Sequence, residues 1–108
     1  MRQVDYPSLK RRELVGLANS MLAGEVNLID GIRTMCLLRF AIGDSENDVF
    51  IPLRAIDSET DHYPLGEMRS RCANDYLQRM DTEMQDYLEE AKQDILDVCR
   101  EIIRIYSY

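Results

Sequence analysis

The sequence predicts an all-α protein: an N-terminal antiparallel helical hairpin, a structured acidic loop and a long C-terminal helix. Three observations carry this reading. Apolar residues step by three and four positions through three separate stretches, the spacing of one helical face. Glycines stand where the first two stretches end. The apolar run outside them, residues 49–56, has Pro52 in its middle, which excludes a central strand and the interior of a regular helix.

Residues 1–7 read as an arm. Pro7 and Ser8 form a helix start signal, with Ser8 the expected N-cap. Leu9, Leu14, Leu17, Ala18, Met21 and Leu22 follow, and Gly24 supplies the stop, so the first helix is expected over 9–23. Glu25 and Asn27 are polar positions at the start of a second helix, 26–42. Its face is Leu28, Ile29, Ile32, Met35, Cys36 and Phe40, and Gly43 ends it. Gly31 inside that helix costs about 1 kcal/mol relative to alanine, which a close helix–helix approach would justify. The short connection at Gly24 implies that the two helices form a hairpin.

Residues 43–73 read as irregular. Within 43–67 there are seven acids, at positions 44, 46, 48, 57, 59, 61 and 67, against Arg54 alone. The expectation is a long structured loop holding at most a short helical turn, and loops of this length tend to be functional. The third helix runs 74–106 with Asn74 as N-cap. Its stripe is Leu77, Met80, Met84, Leu88, Ala91, Ile95, Cys99, Ile102 and Tyr106, with a mean step near 3.6 and not the 3.5 of a heptad seam. Such a helix is roughly 48 Å long, while a compact domain of this size has a radius of gyration of only about 13 Å. It must overhang, bend or meet another subunit. Asp81, Thr82 and Gln85 resemble a capping box, which leaves a break there open.

Length and composition bound the rest. A chain of 108 residues with 45% hydrophobic content makes one domain with its own core. The net charge of −7 repels phosphate backbones and anionic membranes, so neither nucleic acid nor a membrane is an expected partner. The charge suits a basic protein. The three cysteines, Cys36, Cys72 and Cys99, are odd in number, widely spaced and without a CxxC pair. That points to a reducing compartment and a cytoplasmic location.

The candidate chemistry is thin. Asp57 to His62 offers acids at alternate positions beside the sole histidine, a pattern open to a divalent cation. It lacks the EF-hand glycine and a second histidine, and Asx and Ser/Thr turns explain it better. A Cys72–His62 nucleophile pair is a further option without its usual surroundings. Lys10, Arg11 and Arg12 oppose the macrodipole of the first helix, so they are expected to pair with the acidic long helix. The Met and Tyr residues of the long helix (Tyr76, Met80, Met84, Tyr87, Tyr106, Tyr108) read as core or as an adaptable face.

The run Ile56-Asp-Ser-Glu-Thr-Asp-His-Tyr-Pro-Leu-Gly66, followed by Arg69, resembles a motif of a family of small uncharacterised bacterial proteins. In these an apolar segment precedes the motif and a charged C-terminal helix follows it. By analogy of size and charge the chain is also similar to immunity-type proteins, which neutralise a toxin.

The expectation is therefore a non-enzymatic, acidic protein-interaction module, of immunity type, that needs no cofactor or metal and binds a basic toxin or effector. The binding residues expected from the sequence are Asp44, Glu46 and Asp48, the group Asp57, Glu59, Asp61 and His62, and Glu83, Asp86 and Glu90 on the polar side of the long helix. Homodimerisation through the long helix is a further expectation. The alternative is a metal-dependent or cysteine hydrolase centred on Asp57, Asp61, His62 and Cys72.

Overall fold

Asp5 starts the first helix. Its carboxylate accepts from the Ser8 backbone N–H at 2.8 Å, satisfying one of the orphan donors of the opening turn. α1 therefore runs Tyr6–Leu22, with Pro7 in its first turn, where no N–H is needed. This corrects the expected start: Ser8 lies inside the helix and is capped, not capping. The computed structural model describes residues 5–107. The rest of the expected arm, residues 1–4, and Tyr108 lie outside the described residues.

α1 ends in a Schellman turn. Gly24 adopts φ +75°, and the Glu25 N–H reaches back to the Ser20 carbonyl. Asn27 then caps α2, Leu28–Ala41, by accepting from Asp30 N–H. Gly43, also at φ +75°, closes α2 in the same way. α1 and α2 pack together, as the hairpin expectation requires, and Gly31 lies against the Met21 side chain of α1. A Cβ built there would stand 2.6 Å from Met21 Sδ.

The segment 43–73 is not an irregular loop. Asn47 caps a 3-10 turn, Asp48–Phe50, that runs directly into α3, Ile51–Thr60. Pro52 sits in the first turn of α3, where it breaks no hydrogen bond. Reading that proline as central to an apolar run hid a helix that it in fact opens. Leu53, Ile56 and Thr60 form the buried side of α3. A second 3-10 stretch, Gly66–Arg71, leads to the last helix.

α4 runs Asn74–Tyr106 without interruption, and its N-cap is Ala73, not Asn74. The expected capping box is absent because its side chains are engaged elsewhere. The Thr82 hydroxyl donates to Gln78 O, and Asp81 takes a bidentate contact from Arg69 at 2.7 and 2.8 Å. That contact ties the 66–71 stretch to α4, and the Arg69 guanidinium holds the Asp81 carboxyl below its usual range.

The core lies at one end of the molecule. Leu14, Ala18 and Met21 of α1 meet Ile32, Met35 and Leu38 of α2, Phe50, and Leu53 of α3. Ile95, Cys99, Ile102 and Tyr106 of α4 close it. Only the C-terminal half of α4 is buried in this way. Leu77, Met80, Met84 and Leu88 are half-buried, and the molecule extends 54 × 27 × 25 Å. The long helix therefore overhangs its core. Among the described residues there is no strand, and no helix is long and apolar enough to cross a membrane. The expected ion pairs between the basic start of α1 and α4 do not form among the described residues. Lys10 instead binds Glu13 at 2.9 Å within α1.

Replacing Gly31 with alanine sets two effects against each other. Helix propensity improves by about 1 kcal/mol, while overpacking of a closed contact costs about 1–3 kcal/mol. Met21 is itself buried and in contact with Cys99, so it has little room to withdraw. A net loss of about 1 kcal/mol is expected, seen as a lower urea midpoint at unchanged slope. A stabilised variant would show that Met21 can move aside.

Candidate functional site

Because 51–60 is helical, its acids face different neighbours. Asp57 and Asp61 are four apart and share one side of α3, where they line a groove against Arg33, Cys36, Leu37 and Phe40 of α2. Glu59 lies on another side and faces α4, where it accepts from the Tyr87 hydroxyl at 2.6 Å. The expected single cluster is therefore divided between two surfaces. His62 lies exposed beyond the helix end, its ring 4.2 Å from that of Tyr63.

The motif around these acids has local structural work. Arg33 donates to the carbonyls of Thr60 at 2.6 Å and Tyr63 at 3.0 Å, satisfying the orphan C-terminal end of α3. The buried Thr60 hydroxyl donates to Ile56 O. Tyr63 and Pro64 are buried, and Gly66 turns the chain at φ +58°. Burial holds the Tyr63 phenol above its usual range, and the nearby carboxylates of Glu83 and Asp86 add to this.

The α4 acids follow a pattern of their own. Glu83, Glu90, Asp94, Asp97 and Glu101 recur at steps of seven, four, three and four, so they form one flank of the helix. Asp97 binds Arg100 and Glu101 binds Arg104. Glu83, Asp86, Glu90 and Asp94 make no ion pair among the described residues.

This flank borders α3, and between the two helices lies an open groove of about 530 Å³. Pro52, Ala55 and Ile56 of α3 and Ala91 and Val98 of α4 form an apolar floor. Glu59 forms the rim on the α3 side, and Asp94 and Asp97 on the α4 side. Tyr87 stands at the groove and holds Glu59 in place. A depression of about 650 Å³ elsewhere is lined by α4 residues alone, from Asp75 to Glu83, and so has no opposing wall.

The expected binding residues are thus only partly brought together. Glu59 stands on the groove and Glu90 is on the flank that continues it. Glu83 and Asp86 lie further along the overhang. Asp44 is a structural group: it accepts from the Tyr106 hydroxyl at 2.6 Å and from the Asn47 amide, at the far end of α4. Glu46 is exposed beside it, and Asp48 is exposed in the 3-10 turn before α3. Asp94 and Asp97 were not among the expected site residues. Their spacing from Glu90 was the signal that pointed to them, and the apolar floor needed knowledge of α3.

Of the residues in the hydrolase alternative, Asp57, Asp61 and His62 lie at and just beyond the end of α3, and Cys72 follows the second 3-10 stretch. Asp57 and Asp61 face Cys36 across the α2–α3 groove, while Cys72 bonds to Met68 O in the 3-10 stretch. Among the described residues no three His, Cys, Asp or Glu side chains come together in a way that could hold a metal ion. Burial pushes the Cys36 thiol up to about 11, with Asp57 adding to this, and burial likewise pushes Cys99 up to about 11. Both stay protonated and poorly nucleophilic at neutral pH.

Comparison with protein-family models, curated proteins and solved structures finds no match to this chain.

The Tyr87–Glu59 bond is open to test. Burial first, then the bond to Glu59, holds the Tyr87 phenol above its ordinary value of 10.0. The folded state keeps this proton more tightly than the unfolded chain. Its contribution is therefore complete below about pH 10 and is lost as the pH rises beyond that. Tyr87→Phe should cost about 0.5–1.5 kcal/mol near neutrality. The gap in urea midpoint between wild type and variant should narrow from about pH 9 to pH 11. A gap constant with pH would mean that the hydroxyl is free.

Proposed function

We propose that this protein is a non-enzymatic interaction module whose α3–α4 groove receives a basic, amphipathic segment of another protein. The supporting observation is the groove's make-up: an apolar floor between two acidic rims, on a chain of net charge −7. Apolar side chains of the partner cover Pro52, Ala55, Ile56, Ala91 and Val98. Its Lys and Arg side chains meet Glu59 on one rim and Asp94 and Asp97 on the other. The acidic flank through Glu90 and Glu83 extends the attraction beyond the contact and steers the encounter.

The groove is open and runs between two helices, so it suits a helix or extended segment better than a small molecule. The specific form we propose is of immunity type, in which the basic partner is a toxin or effector. Small size and acidity support that form.

The test uses a synthetic Lys/Arg-rich amphipathic peptide with leucines at every third and fourth position. Rim charges are worth about 0.2–1 kcal/mol each. Neutralising Glu59, Asp94 and Asp97 to Gln, Asn and Asn should therefore weaken binding roughly tenfold. Raising the salt should have the same direction of effect. Equal affinity for wild type and the triple variant at low salt would rule the groove out.

A further inference from the structure

The opposite side of α3 carries a different surface. Leu37 and Phe40 of α2 are 72% and 61% exposed, and Ile51 of α3 is 56% exposed. Leu37 and Phe40 are three apart and share one face of α2 with Arg33. Arg54, Asp57, Ser58 and Asp61 share the adjoining face of α3, in line with Ile51. Scattered exposed apolar residues are ordinary, but large ones grouped on one face mark an interaction site.

This face also departs from the charge of the whole. The chain carries −7 overall, yet here Arg33, Arg39 and Arg54 stand against Asp57 and Asp61. Two copies meeting at this face would escape the repulsion that the rest of the surface imposes.

We infer that the α2–α3 face binds a second copy of the chain in a two-fold dimer. The order of residues along the face supports this occupant. Arg33, early in α2, bonds to carbonyls at the end of α3, so the two helices run antiparallel. Arg33 and Asp61 therefore lie at one end of the face and Phe40 and Arg54 at the other. Leu37 lies midway, level with Asp57 and Ser58.

A two-fold axis through Leu37, lying in the interface and perpendicular to the helices, places α2 on its copy and α3 on its copy, each antiparallel. Every position then meets a complementary one. Leu37 meets itself. Phe40, with Arg39 of its own chain 4.1 Å over its ring, meets the other copy's Arg33 on its remaining face. Arg54 meets the other copy's Asp61, and Asp57 meets Ser58. A surface that complements itself under one rotation is what an isologous interface requires. With Leu37 at its centre and Phe40, Arg33 and Arg54 on either side of it, the face has the aromatic and Arg enrichment of strong contacts. The overhang of α4 is the weaker candidate for self-association, because the Tyr63 and Gly66–Arg71 segment already packs on it through the Arg69–Asp81 contact.

The test is the mass in solution of the full chain by sedimentation equilibrium. Wild type should reach twice the 12.6 kDa of the chain. Leu37→Glu with Phe40→Glu should sediment as a monomer while its helical circular dichroism is unchanged. Arg54→Asp alone should weaken the dimer at least tenfold, and adding Asp61→Arg should restore it. A monomeric wild type at high micromolar concentration overturns the inference. So does a dimer that survives the Leu37 and Phe40 changes, the outcome expected if α4 carried the contact. Failure of the charge swap to restore association overturns the two-fold register. None of these readouts depends on the α3–α4 groove.

Discussion

A helix of 33 residues packed against helices of 17, 14 and 10 leaves much of its length without an opposing helix. That mismatch governs the molecule. The C-terminal half of α4 takes its place in the core through Ile95, Cys99, Ile102 and Tyr106. The N-terminal half keeps the same apolar stripe but has only the chain between α3 and α4 to cover it. Tyr63, Pro64 and the Arg69–Asp81 contact supply that cover. α3, short and placed between α2 and α4, is then the element that shapes the surface. It borders one groove on each side.

Much of this was legible in the residues and some was not, for identifiable physical reasons. The three-and-four spacing located three helices because amphipathic faces are long enough there to repeat. Gly24 and Gly43 marked helix ends because a left-handed turn needs glycine, and Gly31 marked a close approach because it has no Cβ. α3 was hidden by Pro52. A proline in the first turn and a proline in the middle of a helix look the same without knowing where the helix begins. Asn74 and the Asp81–Thr82 pair misled in a related way: good capping residues were present, but tertiary partners or helix interior claimed them.

The acidic surface shows the same limit. Read as a loop, Asp57, Glu59 and Asp61 formed one cluster. As a helix, they divide, with Asp57 and Asp61 toward α2 and Glu59 toward α4. The consequence is two surfaces of opposite character on either side of α3: an acidic cleft with an apolar floor, and a mixed-charge face with exposed Leu37 and Phe40. Acid count alone gave no means of separating them, since the separation depends on the 3.6-residue period of a helix that the proline concealed.

The proposed function requires that α3 and α4 form a cleft for a basic segment and that Asp57 and Asp61 stand outside it. Backbone amide NMR during titration with a Lys/Arg-rich amphipathic peptide tests this most directly. The largest shift changes should fall on Ala55, Glu59, Tyr87, Ala91, Asp94 and Val98, with Leu37, Asp57 and Asp61 unmoved. Changes centred on Asp57, Asp61 and His62 would contradict the account and restore a single acidic cluster as the binding surface.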